Sequence, residues 1–267
     1  MLERNIISAA STLDAIGLRY TSRQLYYQVC RDVTFPLRDW LLRLARPLPF
    51  TLKPPLRWSH FAAALAALRP HTVRLPGLLS AAPPVAPSPL PELRAYGLPR
   101  LLICADAEIA AMLRANHLPS EIGCPILSLA EASPLAEVYL QMLRVAAGQV
   151  IFLHPADRAG LRAAARLPQH LALPDGVAWI APGLRPIHAL RMHLFAIPAA
   201  DLRSDFPHEL SASERRWLRR QQAELHAIAP LRLLRVIRRL LLAEPAPPPI
   251  LNRLRRLPQL GFMSWPE

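Results

Sequence analysis

The chain has 267 residues, with 32 basic against 19 acidic side chains and a formal net charge of +13 at neutral pH. That length suffices for one large domain or two smaller ones with a sizeable core. The charge points to a polyanionic partner, nucleic acid ahead of an anionic membrane.

No stretch of about 18 residues is free enough of charge and proline to read as a membrane helix. The N-terminus, MLERNIISAA, lacks the basic-then-apolar order of a signal peptide. Cys30, Cys104 and Cys124 are too few and too widely spaced for a disulfide framework or a zinc site. A cytoplasmic protein with reduced thiols and no membrane partner is expected. Lys53 is the single lysine, so nearly all positive charge is arginine. Arginine forks suit phosphate oxygens, although a general bias toward Ala, Leu, Pro and Arg would raise the charge without any function.

In chain order, Leu2–Ile16 has the spacing of a helix ended by Gly17. Thr21 and Gln24 form a capping-box pattern that starts a second helix over Thr21–Arg31. Its apolar face carries Leu25, Tyr26, Val29 and Cys30, which points Arg23 and Tyr27 roughly away from it, although spacing alone favours both tyrosines packing inside a small helical domain. Leu37–Leu44 reads as a separate short helix between Pro36 and Pro47, and Arg57–Leu68 as a strongly amphipathic one. His71–Leu79 alternates and holds Pro76-Gly77, the pattern of a small β-wing. Helix, helix, helix and wing is a winged-helix order, of the kind that lays a helix in a DNA groove; a plain three-helix bundle would show the same pattern.

Ala81–Pro91 has five prolines in eleven residues and marks a semi-extended linker. Beyond it strands alternate with helices. The expected strands are Arg100–Ala105, Pro125–Leu129, Gln149–His154 and Val177–Ile180. The expected helices are Asp106–Asn116, Pro134–Ala147, Asp157–Leu167 and Leu184–Leu194. That rhythm predicts a mixed α/β fold with a mostly parallel sheet covered on both faces. Chemistry in such sheets gathers at the carboxyl ends of strands, here around Cys104–Glu108 and Leu153–Gly160. Ser211–Ile228 reads as one helix, Leu231–Leu242 as another, and Asn252–Leu257 as a last short segment. Arg215, Arg216, Arg219 and Arg220 cluster on the first of these and can track a phosphate backbone or form a solvated face.

Several chemistries have no signature. G-x-G-x-x-G, G-K-[ST] and G-x-S-x-G are all missing. His188 and His193 are five apart, off the four-residue spacing of a helical metal pair.

The segment SRQLYYQV, residues 22–29, resembles the tyrosine motif of the topoisomerase VI A subunit and the meiotic double-strand-break transesterases. The Toprim nuclease branch of Wadjet plasmid-defence systems is also similar, through DRAGLRAAARL and SASERRWLRRQQ. The resemblance implies a winged-helix-like domain over 1–80, a Pro-rich linker over 81–98, a Toprim-like Rossmannoid α/β domain over 99–205, and a basic helical segment over 206–267. It places Tyr27 at the nucleophile position with Tyr26 beside it and Arg23 near the phosphate. It also implies carboxylates that hold Mg²⁺. Here the family's first acid falls on Ala105, with Asp106 and Glu108 shifted beside it. The next falls on Pro155, and the last on Asp157 ahead of Gly160. The expectation is therefore a binder of double-stranded DNA with a degenerate Toprim-like domain and no cofactor. Its DNA contacts would come from Arg23, Arg57, Arg215, Arg216, Arg219 and Arg220. Two alternatives stand beside it. One is a Mg²⁺-dependent strand-cleaving enzyme using Tyr27 with Asp157, Asp106 and Glu108. The other is a non-catalytic subunit that docks a protein partner in a larger complex.

Overall fold

The computed structural model describes residues 1–44, 49–68, 75–79, 97–200 and 210–242, with side chains omitted at 35–44 and 133–136. The linker at 81–91 and the segment at 252–257 lie outside the described residues, as do positions 71–74 of the expected wing.

Three helices open the chain: α1 (Leu2–Asp14), α2 (Ser22–Leu44) and α3 (Trp58–Leu68). α1 buries Ile6, Ala9, Ala10 and Leu13, and Gly17 turns the chain at φ 69°. Thr21 and Gln24 bond reciprocally ahead of α2, as the capping box requires. One expectation needs correction. The two helices foreseen on either side of Pro36 are one, since the backbone stays helical through that proline. A proline there removes a single backbone bond, and the rest of the helix carries the turn. Within 75–79, Leu78 bridges Tyr20 in parallel. The Tyr20 amide bonds the Gly77 carbonyl, and the Leu79 amide bonds the Tyr20 carbonyl. Asp14 accepts from the Tyr20 hydroxyl and the Gly77 amide together, which ties this corner to the end of α1.

The second part holds a four-stranded, fully parallel sheet of order β2-β1-β3-β4. Its strands are β1 (Arg100–Cys104), β2 (Ile126–Ser128), β3 (Gln149–Leu153) and β4 (Ala178–Ile180). Between them run α4 (Ala107–Ala115), the short α5 (Leu118–Ile122), α6 (Leu129–Val145) and α7 (Arg158–His170). The mixed α/β class with a parallel sheet is as expected. α6 starts five residues earlier than Pro134, because Ser128 and Glu131 make a full capping box at its head.

Strand alternation divides the core. Leu102, Cys104, Ile126, Ile151 and Leu153 face α4 and share one cluster with Leu25, Tyr26, Tyr27 and Phe61 of the first helices. Leu101, Ile103, Leu127, Val150 and Phe152 face the other way, with Leu143 and Leu167 of α6 and α7. The N-terminal helices and the sheet therefore share a continuous core.

α8 (Pro186–Arg191), β5 (Ile197–Pro198), α9 (Ala212–Leu218), β6 (Gln221–Gln222) and α10 (Pro230–Leu242) complete the chain. The single helix foreseen over Ser211–Ile228 is broken. β6 pairs antiparallel with β5, Ala223 bridges Ala156, and Leu225–Ala227 form one 3-10 turn. Tertiary pairing overrides a helix-favouring sequence there.

Candidate functional site

The chain passes from β1 outward to β2 and then returns to β3 on the other side of β1. The switch point thus lies between the carboxyl ends of β1 and β3, where open α/β sheets place their ligands. The two ends are adjacent: Cys104 registers with Leu153, and the Ala105 amide bonds the Leu153 carbonyl.

Asp106 follows β1 and caps α4, one carboxylate oxygen accepting from the amides of Glu108 and Ile109. Its other oxygen lies 3.6 Å from His226 Nδ1. Glu108 Oε2 lies 3.5 Å from His226 Nε2. The imidazole is 3% exposed and sits between the two carboxylates. Nε2 has no aligned hydrogen-bond acceptor among the described residues, so its contact with Glu108 is one of proximity. The facing imidazole is the main cause that holds Glu108 below the usual carboxylate range.

Two residues earlier, Glu224 faces α2. The Tyr27 hydroxyl donates to its Oε2 at 3.2 Å, and Arg23 stands 3.8 Å from its Oε1. The Arg23 guanidinium lies 4.1 Å above the Trp58 ring, a cation–π distance. Arg31 adds a hydrogen bond to the Ala227 carbonyl. Residues 223–228 are thus held from α2 on one side, from α4 on the other, and by Ala156 beneath. This segment fills the crevice at the sheet switch point with the chain's own side chains.

That arrangement corrects the outward reading of Tyr27. The residue is fully buried, and it stacks on Phe195 at 6.0 Å. Burial first, then the charge and hydrogen bond of Glu224, raises its hydroxyl far above the usual tyrosine range. Tyr26 is buried too. Its hydroxyl donates to the Leu56 carbonyl at 2.6 Å, and its ring meets Tyr27, Trp58 and Phe61 edge-on. The helix that carries the resemblance is an aromatic packing element with a polar outlet to Glu224.

Asp157 is placed elsewhere. Its carboxylate caps α7 through the Gly160 amide at 2.6 Å and lines a cavity of about 130 Å³ with Ala199, Leu218, Gln221 and Gln222. Neither Tyr27, Asp106 nor Glu108 lines that cavity. Among the described residues, no group of three His, Cys, Asp or Glu side chains is placed to hold a metal ion. The donors present do not fit Mg²⁺, which needs converging hard oxygens. Asp106 is shared between a helix cap and an imidazole, Glu108 faces the same imidazole, and Asp157 caps a different helix. Ala105 and Pro155 stand where the resemblance would put carboxylates.

The expected DNA-contacting arginines are divided. Arg57, Arg215, Arg216, Arg219 and Arg220 are exposed, whereas Arg23 is half-buried between Trp58 and Glu224. α9 is anchored beneath its arginines by Glu214, which closes the Ser211 capping box and takes Arg185 at 2.9 and 3.2 Å. Sequence reasoning missed Glu224 and His226 altogether. They lay inside a stretch read as uninterrupted helix. The one usable signal was Pro230, which opens a new helix four residues after His226.

Comparison with family models, curated proteins and solved structures returns no match. Among the described residues, no helix is long and apolar enough to cross a membrane.

Proposed function

We propose that this chain is a non-catalytic DNA-binding protein, built as a winged-helix-like domain joined to a degenerate Toprim-like α/β domain in the manner of the topoisomerase VI A subunit. One observation carries the reading. The tyrosine at the family's nucleophile position is fully buried against Glu224, while Arg57, Arg215, Arg216, Arg219 and Arg220 stand exposed. A nucleophile must reach a phosphorus atom with charge neutralisation around it. Tyr27 has neither access nor a converging carboxylate set. A formal charge of +13 on an arginine-rich surface supports association with phosphates without chemistry.

The parallel sheet with its switch point beside Asp106 supports the α/β part of this reading. The test is binding of a labelled DNA duplex by the full chain in the presence of a metal chelator. Binding should persist, and no protein–DNA adduct should form with Mg²⁺ or Mn²⁺. A phosphotyrosyl adduct that depends on Tyr27 would replace this reading with the strand-cleaving one. A stable protein partner without DNA affinity would replace it with the assembly-subunit one.

A further inference from the structure

The most regular row of positive charge lies outside the arginines that the resemblance picks out. α10 buries Pro230, Leu233, Ile237 and Leu241. Its opposite face exposes Arg232, Arg235 and Arg239 at spacings of three and four, with Val236 between them. Arg238 is off this row and pairs with Glu121 of α5. Among the described residues, no acidic side chain pairs with Arg232, Arg235 or Arg239, and the first turn of the helix holds no acid.

At the head of the row is a cavity of about 50 Å³. Among the described residues, Arg31, His193 and Arg232 line it above an apolar floor that includes Met192 and Ile228, and no carboxylate does. A space of that size holds a few waters or one oxyanion.

We propose that α10 and this cavity hold the sugar–phosphate backbone of a nucleic acid. One phosphate lies at Arg232, and the next lie along Arg235 and Arg239. The row from Arg232 to Arg239 runs about 10 Å along the helix. The assignment rests on the DNA-binding reading and moves its main contact surface from α9 to α10. A membrane fits the same helix poorly. An interfacial helix needs a free apolar face, and the apolar face of α10 is already packed into the core through Leu233, Ile237 and Leu241.

The experiment is fluorescence anisotropy of a labelled duplex against the full chain over a range of salt. It compares wild type with the triple variant R232Q/R235Q/R239Q and the double variant R235Q/R239Q. All three arginines are exposed, and circular dichroism verifies that the variants fold. The slope of log affinity against log salt should shrink by about three in the triple variant and about two in the double. Unchanged slopes in both variants overturn the α10 assignment and leave DNA binding standing. A wild-type chain with no duplex affinity overturns both. Wild-type binding to phosphatidylserine vesicles but not to duplex, lost in the triple variant, assigns the row to a membrane surface instead.

Discussion

The Tyr27 hydroxyl donates to Glu224 across 3.2 Å and joins residues 197 positions apart in the chain. This contact couples the helix that carries the family resemblance to a segment that shows no resemblance in sequence. Burial, reinforced by the Glu224 carboxylate, raises the phenol far above the usual tyrosine range.

Tyr27→Phe removes one hydrogen bond and leaves Glu224 with Arg23. Unfolding in urea should show a loss of about 1 kcal/mol. Affinity for duplex DNA should stay within about twofold, a shift of less than about 0.5 kcal/mol. A variant that folds normally yet loses DNA affinity would place the phenol in the interface.

His226→Gln removes the group that holds Glu108 below its ordinary range. A carboxylate depressed in the folded state adds stability above its unfolded value, about 4.3. It gives that stability up as pH falls through its folded value. In the wild type, carbon-detected NMR should therefore place the Glu108 titration below about 4.3. In the variant it should move up toward that value. An unmoved Glu108 would mean that the imidazole does not act on it.

Arg114 grips Glu131 with both guanidinium nitrogens, at 2.8 and 3.1 Å, beside the Ser128 cap at the head of α6. Burial pushes the Glu131 carboxyl up. The Arg114 and Ser128 contacts outweigh it and leave the group at about 2. The sign is that of a depressed acid, so its stabilisation is complete above about pH 5 and is lost toward pH 2. Arg114→Leu takes both guanidinium hydrogen bonds from a carboxylate at 9% side-chain exposure and should cost about 2 kcal/mol at pH 7. That cost should fade on acidification, which thermal unfolding as a function of pH would show.

Gly183→Ala tests the packing at the end of β3. A methyl group there meets the ring of His154, which is 2% exposed and held by a contact between Nδ1 and the Pro155 carbonyl. Burial already lowers the His154 pKa. Overpacking of this kind should cost about 1–3 kcal/mol. An unchanged melting temperature would mean that the ring has room to move.

What the sequence discloses here divides along physical lines. The sheet was legible, because four-residue apolar runs such as VIFL and LLIC, set between helical stretches, fit strands covered on both faces. The start of the helix at Asp106 was legible too, since an Asp ahead of an apolar period marks a helix start. Tyr27 was misjudged because helical periodicity sees only its own helix, and here two elements bury opposite sides of α2. Phe195 and Glu224 arrive from far along the chain and cover the side that amphipathicity assigned to solvent. Residues 221–228 were misread for the same reason. Gln221, Gln222 and Ala223 take partners in β5 and at Ala156, and no local pattern announces them. The two strand ends that flank the crevice, at Cys104–Glu108 and Leu153–Gly160, could be picked from the sequence, but what fills the crevice could not.

The most direct test of the account is the salt dependence of wild-type affinity for duplex DNA. Binding through six or more arginine–phosphate contacts predicts a log–log slope of about −5 or steeper, and a loss of about a thousandfold between 50 and 200 mM salt. A slope near zero, or no binding at low salt, would contradict it.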